Sequence, residues 1–282
     1  MIDVFLFVLG MVFGSFGSVL IWRLQESLSW QDIKAILVGR SKCPKCWTTL
    51  QPKDLIPIFS FLSTKGKCRY CHKPISRVYP ALEILSGLIF VFSYHWTIAH
   101  FGADPRWIVF WILINWLLLL LLFADILFFY LNNWIWLFAV LWILIWSFGL
   151  GLLNWQNVAI GWFIFWFVFW GVWLFGKFYL KIRYNLVNIE GIGEGDVLLA
   201  FVIWMLMGGL FPMQWDILIL LPLAYLMLAS LIWIVYALVS RLFKKTRQGK
   251  SIPFLPAMIV AFWLFMLYWE FILRMFQQIW KN

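Results

Sequence analysis

Apolar residues run along this chain in long blocks, and the polar residues between them are few and bunched. The first block, Ile2 to Trp22, is long enough to cross a bilayer, because about 20 apolar residues in a helix span the hydrocarbon layer. Further blocks run from Tyr79 to about Ala99, from about Trp107 to Asp125, and from about Trp134 to Leu153. Others run from about Val158 to Gly176, from Val197 to Phe211, from Ile217 to Ser240, and from Ile252-Pro253 to near Gln277. One long polar segment, residues 25 to about 78, interrupts them. The pattern predicts an all-α polytopic membrane protein of about eight transmembrane helices, with a small domain between the first and second. It divides the chain into a first helix (1–24), a polar domain (25–78) and a seven-helix membrane part (79–282).

Composition supports this class. The chain is 65% hydrophobic and only 12% charged, which no soluble domain of 282 residues matches. The net charge of +10 raises nucleic acid as a partner, but the distribution excludes it. Eleven of the 22 basic residues lie between Arg23 and Arg77, and most others sit at Lys177 to Arg183 and Arg241 to Lys250. On the eight-helix reading every basic cluster falls on one face, as positive charge does on the cytoplasmic side. Both termini are then expected outside and the polar domain in the cytoplasm, with membrane lipid around the helices. The first block has no basic residue before it and no small-residue cleavage site, so it reads as an anchor. The 22 Trp are too many for interfacial belts, and no function is assigned to them.

Four cysteines stand in the polar domain as Cys43-Pro44-Lys45-Cys46 and Cys68-Arg69-Tyr70-Cys71. Two such pairs give four thiolates a tetrahedral arrangement, the pattern of structural zinc. Four protein ligands leave no open position, so the metal is expected to staple a domain with little core of its own. The alternative is unliganded or oxidised cysteine. His72 is a fifth candidate ligand, although a surface histidine is the plainer reading.

The remaining chemistry lies in acids at helix ends. Glu190 to Asp196 reads Glu-Gly-Ile-Gly-Glu-Gly-Asp and leads straight into an apolar block. An ionisable group at a membrane helix is costly and marks function by default. Gly193 and Gly195 allow an extended peptide to approach closely. Asp125 ends a block that comes inward and Asp196 begins one that goes outward, so both lie at the cytoplasmic surface at similar depth; Glu83 and Glu190 stand nearby. Two carboxyl groups held close cannot both ionise easily, so one takes a proton from water while the other polarises a scissile carbonyl. The plainer alternatives are a helix cap or salt bridge, or a proton or cation path through a carrier.

Six motifs in order resemble the type IV prepilin peptidases, across roughly residues 10 to 260. Gly14-Ser15-Phe16-Gly17-Ser18-Val19 resembles the family's GSFxNV, the cysteine pairs its zinc tetrad, and Tyr79-Pro80-Ala81-Leu82-Glu83 its YPxxE. Asp125 stands at its first catalytic aspartate, Glu190 to Asp196 resembles EGxGxGD with the second, and Ile252 to Pro256 resembles IPFGP. The resemblance implies a bifunctional enzyme of the bacterial inner membrane. Such an enzyme removes the basic leader of prepilins or pseudopilins, then methylates the new N-terminus with S-adenosylmethionine. It names Asp125 and Asp196 as catalytic, Gly193 and Gly195 as the supporting loop, and no residue for the methyl donor. Ser18, Asn132, Asn133, Leu198 and Leu255 depart from the family pattern, which bears more on the methyltransferase half than on the peptidase half. Two other readings stand beside it. One is an intramembrane aspartic protease of presenilin type, which shares GxGD but lacks a four-cysteine domain. The other is an inactive homologue serving as a scaffold or ion carrier.

Overall fold

The structure is a computed structural model. It describes residues 1–24, 39–128, 131–151, 153, 155–184, 194–210, 215–242, 254–268, 271 and 274. Among these the fold is helical: α1 (Ile2–Arg23), a 3-10 turn (Pro52–Asp54), α2 (Phe59–Ser63), α3 (Val78–Phe101) and α4 (Pro105–Phe128) come first. Then come α5 (Asn133–Leu144), continued by a π turn (Ile145–Gly149), α6 (Trp155–Tyr184), α7 (Glu194–Leu210), α8 (Trp215–Leu242) and α9 (Leu255–Leu267). The only β pairing among the described residues is two isolated antiparallel bridges, Lys42 with Thr49 and Lys67 with Pro74. A helix stands at each of the eight expected places. Of these, α1, α3 and α4 are both long and apolar enough to cross a membrane, and four shorter apolar stretches follow. A bilayer core leaves backbone groups no water, so helices that satisfy them internally are what such a sequence must form.

The chain divides by its own contacts into two units, Met1–Ala124 and Asp125–Asn282. In the first, α1 and α3 pack almost backbone to backbone. A Cβ on Gly10 would lie 2.6 Å from the Ser86 carbonyl oxygen, and one on Gly14 would lie 2.7 Å from the Glu83 Cα. Small residues therefore set the distance between these helices, as they do where lipid supplies no hydrophobic drive for helix association. Phe13 fills the space beyond them, with ring centroids 5.2 Å from both Phe90 and Trp116. Asn115 adds a buried polar tie, donating to Ser93 Oγ at 3.1 Å and to the Trp111 carbonyl.

In the second unit α6 and α7 meet the same way: a Cβ on Gly208 would lie 2.6 Å from the Asn157 carbonyl oxygen. Tyr225 of α8 donates to the Met258 carbonyl of α9 at 2.8 Å. The tryptophans divide by place: Trp111 and Trp204 are buried filler, while Trp166 and Trp170 stack on an exposed face of α6.

Two boundaries differ from expectation. Lys177, Lys181 and Arg183 do not mark a loop; they continue α6, which runs 30 residues to Tyr184. Such a helix is about 45 Å long, more than the thickness of a hydrocarbon layer. Asp125 also does not end its helix, for α4 continues to Phe128. The stretch that follows Asp125 is itself apolar, and nothing in it breaks the turn. Arg241 lies in the last turn of α8, while Glu190, Gly193 and the rest of that basic cluster, Lys244 to Lys250, lie outside the described residues.

Candidate active site and metal centre

Each cysteine pair sits on a tight hairpin. The Cys43 N–H donates to the Thr48 carbonyl and the Trp47 N–H to the Cys43 carbonyl; the second hairpin repeats this with Cys68 and Lys73, and with His72 and Cys68. To close these turns Trp47 takes φ 60° and His72 φ 57°. This left-handed conformation is costly for a residue with a Cβ. The two hairpins bring all four sulfurs within 4.8 Å of one another, and Cys43 Sγ lies 4.0 Å from Cys71 Sγ. Tetrahedral thiolates at metal–sulfur bonds of about 2.3 Å stand about 3.8 Å apart. The four cysteines therefore fit a metal ion with closure of about an ångström at most. His72 is exposed and belongs to no such group.

The electrostatics suit thiolate ligands. Hydrogen bonds from the Thr48 side chain and backbone lower Cys46 to about 6. Burial works against ionisation of Cys68, but backbone hydrogen bonds at Cys71 and Tyr70 outweigh it and hold the thiol low. At Cys71 the Lys73 backbone pulls down, yet burial and the other three sulfurs push it up to about 11. Four crowded sulfurs cannot all shed their protons unaided, a conflict that a bound divalent cation would resolve.

Asp54 fastens the second hairpin. Its carboxylate accepts from Arg69 Nε at 2.8 Å, from the Tyr70 hydroxyl at 2.8 Å and from the Gln51 N–H at 3.1 Å. Burial would raise it, but the Arg69, Tyr70 and Gln51 bonds prevail and hold it below the usual carboxylate range. Neither this role nor that of Glu83 was anticipated. Glu83 is only 8% exposed and accepts from the Ile58 N–H at 2.7 Å and from Ser15 of α1. It joins three pieces of the first unit: α1, α3 and the turn before α2. A lone acid just inside an apolar block was the available signal.

Both aspartates belong to the second unit. Asp125 lies in the last turn of α4, 6% exposed, and its Oδ2 has no hydrogen-bond partner among the described residues. Asp196 lies in the first turn of α7, half-buried, and its charge acts on the Asp125 carboxyl. The chain between explains the approach. A Cβ on Gly195 would lie 3.0 Å from the Leu131 Cβ, so the missing side chain lets the stretch after α4 lie against the start of α7. Asn132 then caps α5, accepting from the Trp134 and Ile135 N–H groups at 3.1 Å. Trp136 Nε1 donates to the Leu198 carbonyl at 2.6 Å, locking α5 to α7. Asn before an apolar run is a cap signature, and this cap was overlooked in favour of Asn132 as a departure. The other departures are placed quietly. Ser18 bonds back to the Ser15 carbonyl in its own helix, Asn133 is exposed, and Leu255 is buried core at the start of α9.

The second unit carries an aspartate at each of two helix ends, and the first unit carries a four-thiolate cluster. The family described as Bacterial Peptidase A24 N-terminal domain matches residues 8–97. A prepilin leader peptidase/N-methyltransferase of Bacillus subtilis is 44% identical over 85 residues, 30% of this chain and 32% of the relative. A protein of the same name from Aeromonas salmonicida is 27% identical over 289 residues, covering 95% of this chain and 91% of its own. The chain is thus similar to prepilin leader peptidase/N-methyltransferases, at higher identity over its first hundred residues and at 27% along nearly its whole length. A type 4 prepilin-like proteins leader peptide-processing enzyme of Escherichia coli shares 36% over 96 residues. In the Bacillus and Escherichia matches the chain spans about a third of the curated relative's length. No solved structure matches.

Proposed function

We propose that the chain is a membrane aspartic endopeptidase that removes the leader of type IV prepilins or pseudopilins and methylates the new N-terminus. The observation that supports the peptidase half is that Asp125 and Asp196 stand at helix ends in one unit, near enough for the charge of one to act on the other. Asp196 sits at the positive end of the α7 dipole, where an anion is favoured, and Asp125 at the negative end of α4. In the proposed step the Asp196 carboxylate takes a proton from water as the water oxygen attacks the scissile carbonyl carbon. The Asp125 carboxyl gives its proton to the carbonyl oxygen. Collapse of the tetrahedral diol breaks the C–N bond, the departing amine takes the proton from Asp196, and the diol returns one to Asp125. Gly193 and Gly195 are the loop against which the extended peptide lies.

The cysteine cluster is proposed as a structural zinc site of Cys43, Cys46, Cys68 and Cys71. Zinc would supply a cross-link and no open position for water. S-adenosylmethionine is the methyl donor the relatives' names imply. The described residues contain no strand-to-helix glycine turn that would hold its adenosyl group, and no residue is assigned to it. The organisation proposed is a first helix (1–24), a cytoplasmic zinc domain (25–78) and a seven-helix peptidase part (79–282). These make eight spans in the bacterial inner membrane, with both termini outside. This places the two aspartates at the cytoplasmic surface, where a prepilin leaves its leader while its apolar helix stays in the bilayer.

The test is cleavage of a prepilin by the purified chain, with mass spectrometry of the product and metal analysis of the enzyme. Leader loss, a methylated N-terminus and one zinc per chain are expected. An intact prepilin from the same source, given a folded enzyme, would overturn the peptidase reading. Leader loss without methylation would overturn the second activity alone.

A further inference from the structure

The short helix α2 is out of keeping with the domain that carries it. Leu55, Ile56, Phe59 and Leu62 are 41%, 49%, 69% and 65% exposed. Phe59 and Leu62 share one helix face, three residues apart. So much bare apolar surface on a small polar domain marks a surface that is covered in the working protein.

The position of the patch says by what. Ile58, between Ile56 and Phe59, gives its N–H to Glu83 Oε2 at 2.7 Å. Glu83 lies in the second turn of α3, one of the helices long and apolar enough to span a bilayer. The patch is therefore held about 8 Å along the axis from the start of that helix, where headgroups give way to acyl chains. The hold is firm, since Ile58 is kept at φ 61°, a conformation a β-branched residue rarely takes. The charge around the patch is of one sign. Residues 40–77 carry nine basic side chains and one acid, Asp54, and that acid is tied to Arg69. Lys53 and Lys65 bracket the apolar stretch. A basic peptide leader would meet like charge here, whereas anionic headgroups meet their complement.

We infer that Leu55–Leu62 is an interfacial docking element that seats the cysteine domain on an anionic lipid surface. Ile56, Phe59 and Leu62 enter the acyl boundary, and Lys53 and Lys65 lie among headgroup phosphates. Amphipathic segments with basic flanks bind membranes in this way. The inference rests on the reading of α1 and α3 as membrane spans. It also gives Glu83 a task, since that carboxylate sets the depth at which the element lies.

The test uses the full chain reconstituted in vesicles of phosphatidylglycerol and phosphatidylethanolamine. The photo-crosslinker p-benzoylphenylalanine replaces Phe59, Leu62, Leu88 on the exposed side of α3, or Lys45 on the first cysteine hairpin, one at a time. Mass spectrometry after illumination is expected to show lipid adducts at 59, 62 and 88 and none at 45. Lipid at 88 without lipid at 59 and 62 would overturn the docking and leave the spans standing. No lipid at 88 would fail the spanning reading itself and the inference with it. An adduct at 59 to a co-reconstituted prepilin in place of lipid would assign the surface to a protein and overturn the lipid assignment. The pair Lys53→Glu and Lys65→Glu is expected to lower adduct yield at 59 several-fold relative to phosphatidylcholine vesicles; an unchanged ratio would overturn the anionic part.

Discussion

The two units of this chain are built around different groups. Met1–Ala124 is constrained at nearly every joint: glycines bring α1 onto α3, four sulfurs converge, and single carboxylates, Asp54 and Glu83, each tie separate segments. Among the described residues, Asp125–Asn282 also uses glycine, at Gly208 between α6 and α7, and fills its interior with large apolar side chains such as Trp204 and Phe262. The unit that holds the four sulfurs is not the one that holds the two aspartates. A volume-conserving swap in an apolar core is tolerated, whereas a helix pair set by glycine backbones tolerates no side chain. The comparison teaches that close glycine packing is common to both units, and that they differ in the chemistry they carry: four sulfurs in the first, two aspartates at helix ends in the second.

Removing the metal should strike hardest, and only on the first unit. Structural zinc contributes on the order of 10 kcal/mol to folding of small domains. Chelation, or Cys68→Ser, is expected to expose residues 39–77 to protease, with zinc falling from one per chain to near zero. Unchanged protease resistance would remove the staple from the account. The aspartates should give the converse. Asp125→Asn and Asp196→Asn are each expected to slow leader cleavage by at least about 10²–10⁴-fold, with zinc content and protease resistance of 39–77 unchanged.

Glycine substitutions sharpen the contrast within helices. Gly14→Leu places atoms where Glu83 backbone already stands, and is expected to cost about 1–3 kcal/mol or more. Gly171→Ala in α6, where a Cβ meets nothing within 4 Å, is expected to be neutral or to stabilise by about 0.5–1 kcal/mol. Thermal unfolding in a fixed detergent reads both, and equal effects would mean that α1 and α3 do not pack as described. The smallest change should come at the hairpins. Trp47→Gly and His72→Gly relieve a left-handed backbone, for a gain of about 0.5–1 kcal/mol each once chain entropy is offset. Slower proteolysis of 39–77 is the expected sign, and faster proteolysis would show that these side chains pack in a way their exposure does not suggest.

Much of this was legible in the sequence, for physical reasons. Long apolar blocks have one stable form in lipid, so the helices at all eight places followed from their length. Cys43, Cys46, Cys68 and Cys71 could be grouped because thiolates paired at that spacing have few other uses. Gly10 and Gly14 stand four residues apart in the first apolar block, the small-residue spacing by which membrane helices pack, and they do bring α1 onto α3. Other features were hidden because they depend on partners distant in sequence. Nothing local in Glu83 announces Ile58, 25 residues earlier, or Ser15 on another helix. Asn132 caps α5 by a local rule that was available, but its difference from a family pattern drew attention away. Leu131 against Gly195 is a contact of shape alone, and shape has no motif.

The central claim is that Asp125 and Asp196 work as one unit, and a double-mutant cycle on leader cleavage tests it most directly. Rates would be measured for the wild type, Asp125→Asn, Asp196→Asn and the double variant, each at matched zinc content. Groups that act together are far from additive, so each single change should cost nearly as much as both, and the double variant should be no slower than the worse single. Additive losses, or a single variant that cleaves at the wild-type rate, would contradict the pairing and return the two acids to separate roles at their helix ends.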